Sequence, residues 1–535
     1  MNVLKNPSFF RPASRPSSPA PVTVPVRTES SQGVGQVPRS SNKLSLTSFI
    51  RQAPSPAPTP PPNPTPLIHD GSYLEMLSLK LSEAVSKALA QPAGPPIASE
   101  QAAGKRPIPQ GRGAALGSLI ASELKAAHGN PHLHRAVLRS LQRPLTVLLT
   151  NLSAQLLPVL ASASFGVVPP TGNQFSFPNQ LQTYGLSIAK FSEELLQVFD
   201  ELGLGNDADI RGDGLKSIRD GFVSIINRVV KPFISAIQRE LTPIIEALEN
   251  PNTTSIVKPP AGTKASIVYH PSIVALQTLM PLYARALTAS TSSVLSHATL
   301  ASLLISILWK AMVAVSHRVD ARPSPVLGPE LPLLGVKKRR GSPLSTTPPV
   351  TPPPGRFMIK LPPSRPPSPP PVITYATAAA DCKALYDLVV SLPRPSSEHE
   401  ATKLAREAVD EAFEGFRTLP ALLDVAKDRA LVAGDAVDAA RHILQLTTEI
   451  PSLIALPVIL HAFGGPGAAS VAAMLGIGEE DYRKACLSGF SRAEECTAPI
   501  AQRILDVLQT DADANQIVIQ WLEMELAETE ETFSC

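Results

Sequence analysis

The stretch GLKSIRDGFVSIINRVVKPFISAIQRELTPIIEAL, residues Gly214–Leu248, decides the fold class. Its apolar residues recur at steps of three and four for about nine turns, as on one face of an amphipathic α-helix. The stripe consists of Ile218, Phe222, Ile225, Val229, Phe233, Ile237, Leu241, Ile244 and Leu248. Because Pro232 and Pro243 lie inside it, we expect this helix to be kinked or split.

The same periodicity continues on both sides of this stretch. It predicts helices at Ala114–Ala127, His132–Ala163, Asn179–Leu202, Ser272–Ala289, Ser292–His317, Leu419–Leu431, Asp435–Glu449, Ser452–Phe463 and Gly467–Leu475. Few segments alternate with period two, and β-branched runs such as Ser266–Tyr269 are short, so we expect no sheet. The predicted fold class is all-α, with two helical domains, each a bundle or an irregular helical stack.

Three Ser-x-x-Glu sequences have the form of a capping box, in which each side chain satisfies a free backbone N–H at a helix start. They are Ser72 with Glu75, Ser397 with Glu400, and Ser491 with Glu494. The first predicts an isolated amphipathic helix over residues 72–91. Its partner-binding face consists of Leu74, Leu77, Leu81 and Val85. This face must be buried either against the chain's own next domain or in the groove of a partner, and the sequence leaves both open.

The 57 prolines are about twice the ordinary usage, and more than half of them fall in Pro7–Pro66 and Pro323–Pro371. Such segments bury too little apolar surface to offset the entropy of ordering. We therefore predict a disordered Pro/Ser-rich tail at 1–71, a linker at 92–113 and a proline-rich tether at 320–372. The helical domains are expected at 114–319 and 373–535.

The net charge of +3 is the sum over segments whose own net charges differ strongly. Lys and Arg exceed Asp and Glu by seven in residues 1–113, by three in 114–320 and by seven in 321–372, whereas residues 373–535 carry a net charge of −14. Basic arms of this kind attract nucleic acid or an acidic protein weakly and in a salt-sensitive way.

The tether carries the main functional signal. A basic cluster of Lys337, Lys338, Arg339 and Arg340 lies in an extended, proline-bounded segment, as an import receptor requires. Ser/Thr-Pro sites follow it, where a phosphate would add negative charge beside the cluster. The candidate phosphosites are Ser342, Thr347, Thr351 and Ser368, with Ser18 in the tail. The polyproline sequence around Lys360–Pro366 also suits a groove that binds polyproline helices.

No catalytic, cofactor or metal site is predicted. The four cysteines form no CxxC pair, and Gly129–Pro131 separates His128 from the other two histidines of its cluster, His132 and His134. The acidic stretch Asp209–Asp220 matches a calcium loop poorly, because Arg211 occupies a ligand position, and we interpret it as a loop between helices with Asp213 as the cap. The N-terminus has no apolar run of signal-peptide length.

Two apolar stretches pass a first test for membrane spans. Residues Arg143 and Lys190 have no charged residue between them, so Leu145–Val168 is either a buried helix or a span, and Ala298–Trp309 is a shorter candidate. Buried helices of a large bundle have the same composition, and we expect these stretches to be buried rather than to enter a membrane.

These observations predict a non-enzymatic intracellular scaffold or adaptor, a phosphoprotein of the nucleus that binds other proteins through helical surfaces and the proline-rich tether. One alternative is a cytoplasmic membrane-trafficking or tethering protein with a long helical rod. A further alternative is a chromatin- or DNA-associated factor that binds through its basic arms.

Overall fold

The computed structural model describes residues 68–92, 104–167, 177–206, 214–251, 267–318, 374–426, 435–464, 469–511 and 514–534. All of them belong to one compact unit, Pro66–Cys535, whereas the other unit, Met1–Thr65, lies outside the described residues. The described part of the chain is almost entirely helical. The prediction of an all-α fold is therefore confirmed.

Helices before residue 319 match the predicted ones closely. They are α1 (Ile68–Leu89), α2 (Arg112–Ala127), α3 (Pro131–Ala161), α4 (Gln180–Glu201), α5 (Lys216–Glu246), α6 (Pro271–Ser290) and α7 (Val294–Ser316). Their starts have local causes: the Asn130 side chain accepts the N–H groups of His132 and Leu133 at the start of α3. Asn179 and Gln182 form a capping box at the start of α4.

Most helices after residue 373 are shorter than those before it. They are α8 (Ala378–Val390), α9 (Glu400–Val425), α10 (Ala436–Thr447), α11 (Ser452–Phe463), α12 (Val471–Leu475), α13 (Glu479–Cys486), α14 (Phe490–Thr510) and α15 (Gln516–Ser534). The two predicted domains pack directly on each other, since α7 lies against α9 and α6 against α8. The domain bounds themselves stay a prediction.

One hydrophobic core runs through both groups of helices. At its centre α5 packs against α4 and α7, and α7 in turn packs against α9. The predicted stripe of α5 is buried at each of its positions from Ile218 to Leu241, whereas Ile244 is half-buried and Ile245 is the buried residue beside it. Pro232 and Pro243 are accommodated within α5, which is not split. Two glycines of α2 allow it to lie close to α4, because a Cβ at Gly117 would lie 2.6 Å from a methyl group of Val198.

A short parallel pair joins the two groups of helices. Strand β1 (Ile267–Val268) pairs with β2 (Thr374–Tyr375), and the Ala376 N–H donates to the Val268 carbonyl oxygen at 2.9 Å. The expectation of no sheet is wrong at this point. Strand β1 lies in the short β-branched run Ser266–Tyr269, but two residues on each side are too few for an alternating pattern that would predict the pair.

The predicted capping boxes are wrong in all three cases. Helix α1 begins at Ile68, so Ser72 lies inside it, and α9 begins at Glu400 after His399. Helix α14 begins at Phe490, so Ser491 is its second residue. Helix α9 also continues through Pro420 to Val425, where the sequence predicted a separate helix. Asp213, the predicted cap of α5, lies outside the described residues, and Leu215 is the residue before α5.

Candidate functional site

The residues that flank segment 319–373 meet inside the molecule. Arg318 follows directly after α7, and its Nη1 lies 2.6 Å from Oδ2 of Asp381 in the first turn of α8. The other carboxylate oxygen of Asp381 accepts the backbone N–H of His270 at 3.1 Å. Arg318 Nη2 also donates to the carbonyl oxygen of Ala376 at 3.4 Å. Both ends of the segment are therefore joined to each other and to the start of α6.

This ion pair is almost completely removed from solvent. The side chain of Asp381 is 0% exposed and that of Arg318 is 3% exposed. Since a buried charge is tolerated only with a partner of opposite sign, each of these two residues requires the other. Burial, and then the positive charge of Arg318, lower the pKa of His270. The neutral ring can accept, and its Nδ1 takes the Ser272 N–H at 3.1 Å at the start of α6.

A second contact joins the two groups of helices at the end of α5. The guanidinium of Arg483 in α13 binds both carboxylate oxygens of Glu249, at 2.6 and 2.7 Å. Its Nε donates to Glu479 at 2.9 Å. Beside it the buried Trp309 indole donates to the Leu487 carbonyl oxygen at 2.7 Å. These bonds hold α13 against α5 and α7, so segment 319–373 leaves and re-enters one body of helices.

A small cavity of about 160 Å³ lies where the chain before α2 meets α4 and the end of α6. Its lining includes Ile108, Thr183, Ser187, Phe191 and Ala289. Lys190 also lines it, and the Lys190 Nζ atom lies 2.5 Å from Ser292 Oγ and 3.6 Å from a carboxylate oxygen of Glu193. The cavity is therefore adjacent to a small cluster of polar side chains, Lys190, Glu193 and Ser292.

Glu193 is the unusual member of this cluster. Its side chain is 6% exposed; Oε2 accepts from Ser292 at 3.1 Å, and Oε1 has no hydrogen-bond partner in the described part of the chain. Burial raises the pKa of Glu193 to about 7, although the charge of Lys190 opposes the shift. The cluster can thus hold and release one proton near neutral pH.

The predicted face of the first helix is turned inward. Leu77, Leu81 and Val85 are buried, and Leu74 packs partly buried against the same core. Helix α1 packs along α3, and the Lys80 Nζ lies 2.6 Å from Glu123 of α2. Of the two alternatives left open by the sequence, the structure shows docking against the chain's own helices. The opposite side of α1 exposes Met76 and Leu79.

The other predicted site residues lie outside the described part of the chain. This holds for the basic cluster Lys337–Arg340 and for Ser18, Ser342, Thr347, Thr351 and Ser368. No group of three or more His, Cys, Asp or Glu side chains among the described residues is placed to hold a metal ion.

Sequence reasoning missed Arg318, Asp381 and the cluster around Glu193. Arg318 and Asp381 are 63 positions apart in the sequence. The one local indication was that Asp381, a carboxylate, lies on the apolar side of α8 with Ala378 and Leu385. The sequence held a similar indication for Glu193, a carboxylate that lies on the buried side of α4 between Ile188 and Leu196.

Two of the described helices, α3 and α7, are long and apolar enough to span a bilayer. In the most apolar window of α7, 61% of the residues are buried inside the molecule, whereas in that of α3 the share is 33%. Helix α7 is thus a central helix of the core. Helix α3 has an open side.

Comparisons with protein-family models, with curated proteins and with solved structures find no match to this chain.

Proposed function

We propose that the protein is a non-enzymatic intracellular scaffold or adaptor of the nucleus, in which one body of helices presents segment 320–372 to other proteins. The observation that carries the proposal is the buried pair of Arg318 and Asp381, which holds the two ends of that segment together. The basic cluster therefore lies in a segment whose two ends are held by one folded body. An import receptor can bind that segment without separating the helices.

Charge and chemistry within the segment support its being recognised by other proteins. Residues 321–372 carry eight basic residues and a single acidic one, Glu330. The Ser/Thr-Pro sites at Ser342, Thr347 and Thr351 come directly after the basic cluster. Their phosphorylation would offset its charge and weaken the contact with an acidic receptor groove. Kinases of Ser/Thr-Pro sites are thus the proposed regulators of import.

The test is the distribution of the tagged full chain in cells. One variant changes Lys337, Lys338, Arg339 and Arg340 to Ala. A matched control changes four other basic residues of the segment, Arg322, Arg356, Lys360 and Arg365, to Ala, so that the same charge is removed. We expect the first variant to leave the nucleus and the control to stay. Equal distribution of both variants, or a wild-type protein confined to membranes, would contradict the proposal.

A second candidate function, a cytoplasmic membrane-tethering protein, is favoured by one observation. The C-terminal half of α3 carries no charged residue and has an open side. An uncharged helix face can lie on a lipid surface. Sedimentation with vesicles tests this candidate, and the experiment is described below together with a competing explanation of the same face.

A further inference from the structure

The outer side of α3 forms a continuous exposed row, which we name the outer seam. It consists of Arg143, Val147, Thr150, Ala154, Leu157 and Ala161, all of which are exposed. The two largest apolar side chains in it, Val147 and Leu157, are 49% and 58% exposed. After Arg143 the seam contains no charged residue, so it is an apolar strip on the surface of the folded molecule.

The opposite side of α3 is the one that packs against the core. Leu148, Leu152 and Leu156 are buried there. A helix that is apolar on both sides is usually buried on both sides. Because α1, α2, α4 and α5 cover only the inner side, the outer seam is a surface left without a partner in the described part of the chain.

The outer seam is long and narrow. From Arg143 to Ala161 its members follow at alternating steps of four and three residues, as residues on one side of any α-helix do. An elongated partner such as a second helix can follow a strip of this shape. Ala154 and Ala161 present only methyl groups, which lets a second backbone approach closely.

Burial of the outer seam would leave no seam hydroxyl without a partner. The only hydroxyl in it belongs to Thr150, which already donates to the Thr146 carbonyl oxygen at 2.8 Å. The neighbouring Thr146 donates in the same way to the Gln142 carbonyl oxygen at 2.7 Å. Because both hydroxyls already donate to a carbonyl oxygen within the helix, a partner that covers the seam would leave neither of them without a hydrogen bond.

The N-terminal part of α3 continues the same side with positive charge. Arg135, Arg139 and Arg143 are all exposed and follow at steps of four residues. None of the three forms an ion pair with another described residue. Three guanidinium groups in one row, each about 6 Å further along the axis, would match acidic groups at the same spacing on a partner.

We propose that this face of α3 binds an amphipathic helix of a partner protein, whose apolar side covers Val147, Ala154 and Leu157 and whose acidic residues face the three arginines. The proposal rests on the scaffold function and names one of its docking surfaces. An anionic membrane fits the same residues less well. The basic residues lie in line with the seam rather than along both its flanks, and small side chains such as Ala and Thr insert weakly into lipid.

The probe is a pair of synthetic helical peptides of three heptads with leucine on the apolar side. One peptide carries glutamates in its N-terminal half and the other in its C-terminal half, so that parallel and antiparallel pairing are both tested. Binding to the full-length protein is measured by fluorescence anisotropy. We expect one peptide to bind, with affinity that falls as salt is raised. Leu157→Asp should weaken it by at least about tenfold, and Arg139→Glu by a smaller factor with a shallower salt dependence.

The control variant is Leu404→Asp, which places the same charge at an exposed leucine of α9, 78% exposed, and should leave binding unchanged. Circular dichroism of each variant confirms that the helices are intact. Three results would overturn the proposal: no binding of either peptide, equal loss in Leu157→Asp and Leu404→Asp, or sedimentation with vesicles of phosphatidylserine and phosphatidylcholine that Leu157→Asp abolishes. The last result would support the membrane-tethering function. The test of the basic cluster concerns segment 320–372 alone, so either experiment can fail without the other.

Discussion

At the scale of single residues, the fold depends most on one buried ion pair, Arg318 with Asp381. The two residues are 63 positions apart in the sequence. Arg318 and Asp381 lie in different groups of helices, and neither could be buried without the other. The Asp381 carboxylate also accepts the backbone N–H of His270, and Arg318 also donates to the carbonyl oxygen of Ala376, so the two side chains join the end of α7, the residue after β2 and the start of α6. These two side chains hold together the points where segment 319–373 leaves the body and where it returns.

Replacing Asp381 by Ala should therefore destabilise the protein strongly. The Arg318 guanidinium would stay buried without its counter-charge, which typically costs about 3–5 kcal/mol. The measurement is the free energy of unfolding in urea. Asp438→Ala is the matched control, because Asp438 and Arg441 form an ion pair whose side chains are 73% and 57% exposed. Since exposed pairs contribute little, a similar loss in both variants would contradict the role assigned to Asp381.

Glu193 should make stability depend on pH. Its pKa is raised from 4.5 to about 7 in the folded protein, so the folded state holds a proton that the unfolded chain has already released. Stability should therefore fall as the pH rises from about 4.5 to about 7 and then level off.

Glu193→Gln removes this titration and should raise the free energy of unfolding at pH 8 by about 1–3 kcal/mol. Unfolding in urea at a series of pH values measures the effect. Glu201→Gln, at an exposed position of α4, is the control and should keep the wild-type pH profile. An identical profile in Glu193→Gln and wild type would show that the buried carboxyl does not carry the effect.

At the scale of elements, the sequence predicts helices well and contacts between them poorly. The positions of α3, α5 and α11 follow from their apolar periodicity, because that pattern is local. Helix starts were less predictable: Ser72 and Ser397 have the right neighbours for a cap, yet α1 begins at Ile68, before Ser72, and α9 begins at Glu400, after Ser397. The β1–β2 pair and the Arg318–Asp381 contact could not be predicted, since no local pattern records which distant segments meet.

Helix α1 offers a matched test of its docking. Leu81 is 2% exposed against the core, whereas Leu79, two residues earlier, is 72% exposed. Leu81→Asp should detach α1 from α3, because a carboxylate cannot be buried there without a partner. We expect amide hydrogen exchange in Ile68–Leu89 to quicken by at least about 100-fold. Leu79→Asp should leave it unchanged. Equal protection in the two variants would mean that the inner face of α1 does not hold the helix in place.

At the scale of the whole molecule, helical segments of very different net charge belong to one folded body. The segments before and after the tether, nearly neutral and strongly acidic, share one core through α7 and α9. Segment 320–372 therefore connects two points that are already in contact, rather than spanning a gap between separate bodies. The proposed presentation of Lys337–Arg340 by a single body depends on this contact.

The most direct measurement is cleavage within that segment. A protease recognition sequence is inserted between Gly341 and Ser342 of the full chain, the purified protein is cut to completion, and the product is examined by size-exclusion chromatography. We expect the two fragments to elute together at the position of the uncut protein, held by Arg318–Asp381, Arg483–Glu249 and the shared core. Elution of two separate folded fragments would contradict it.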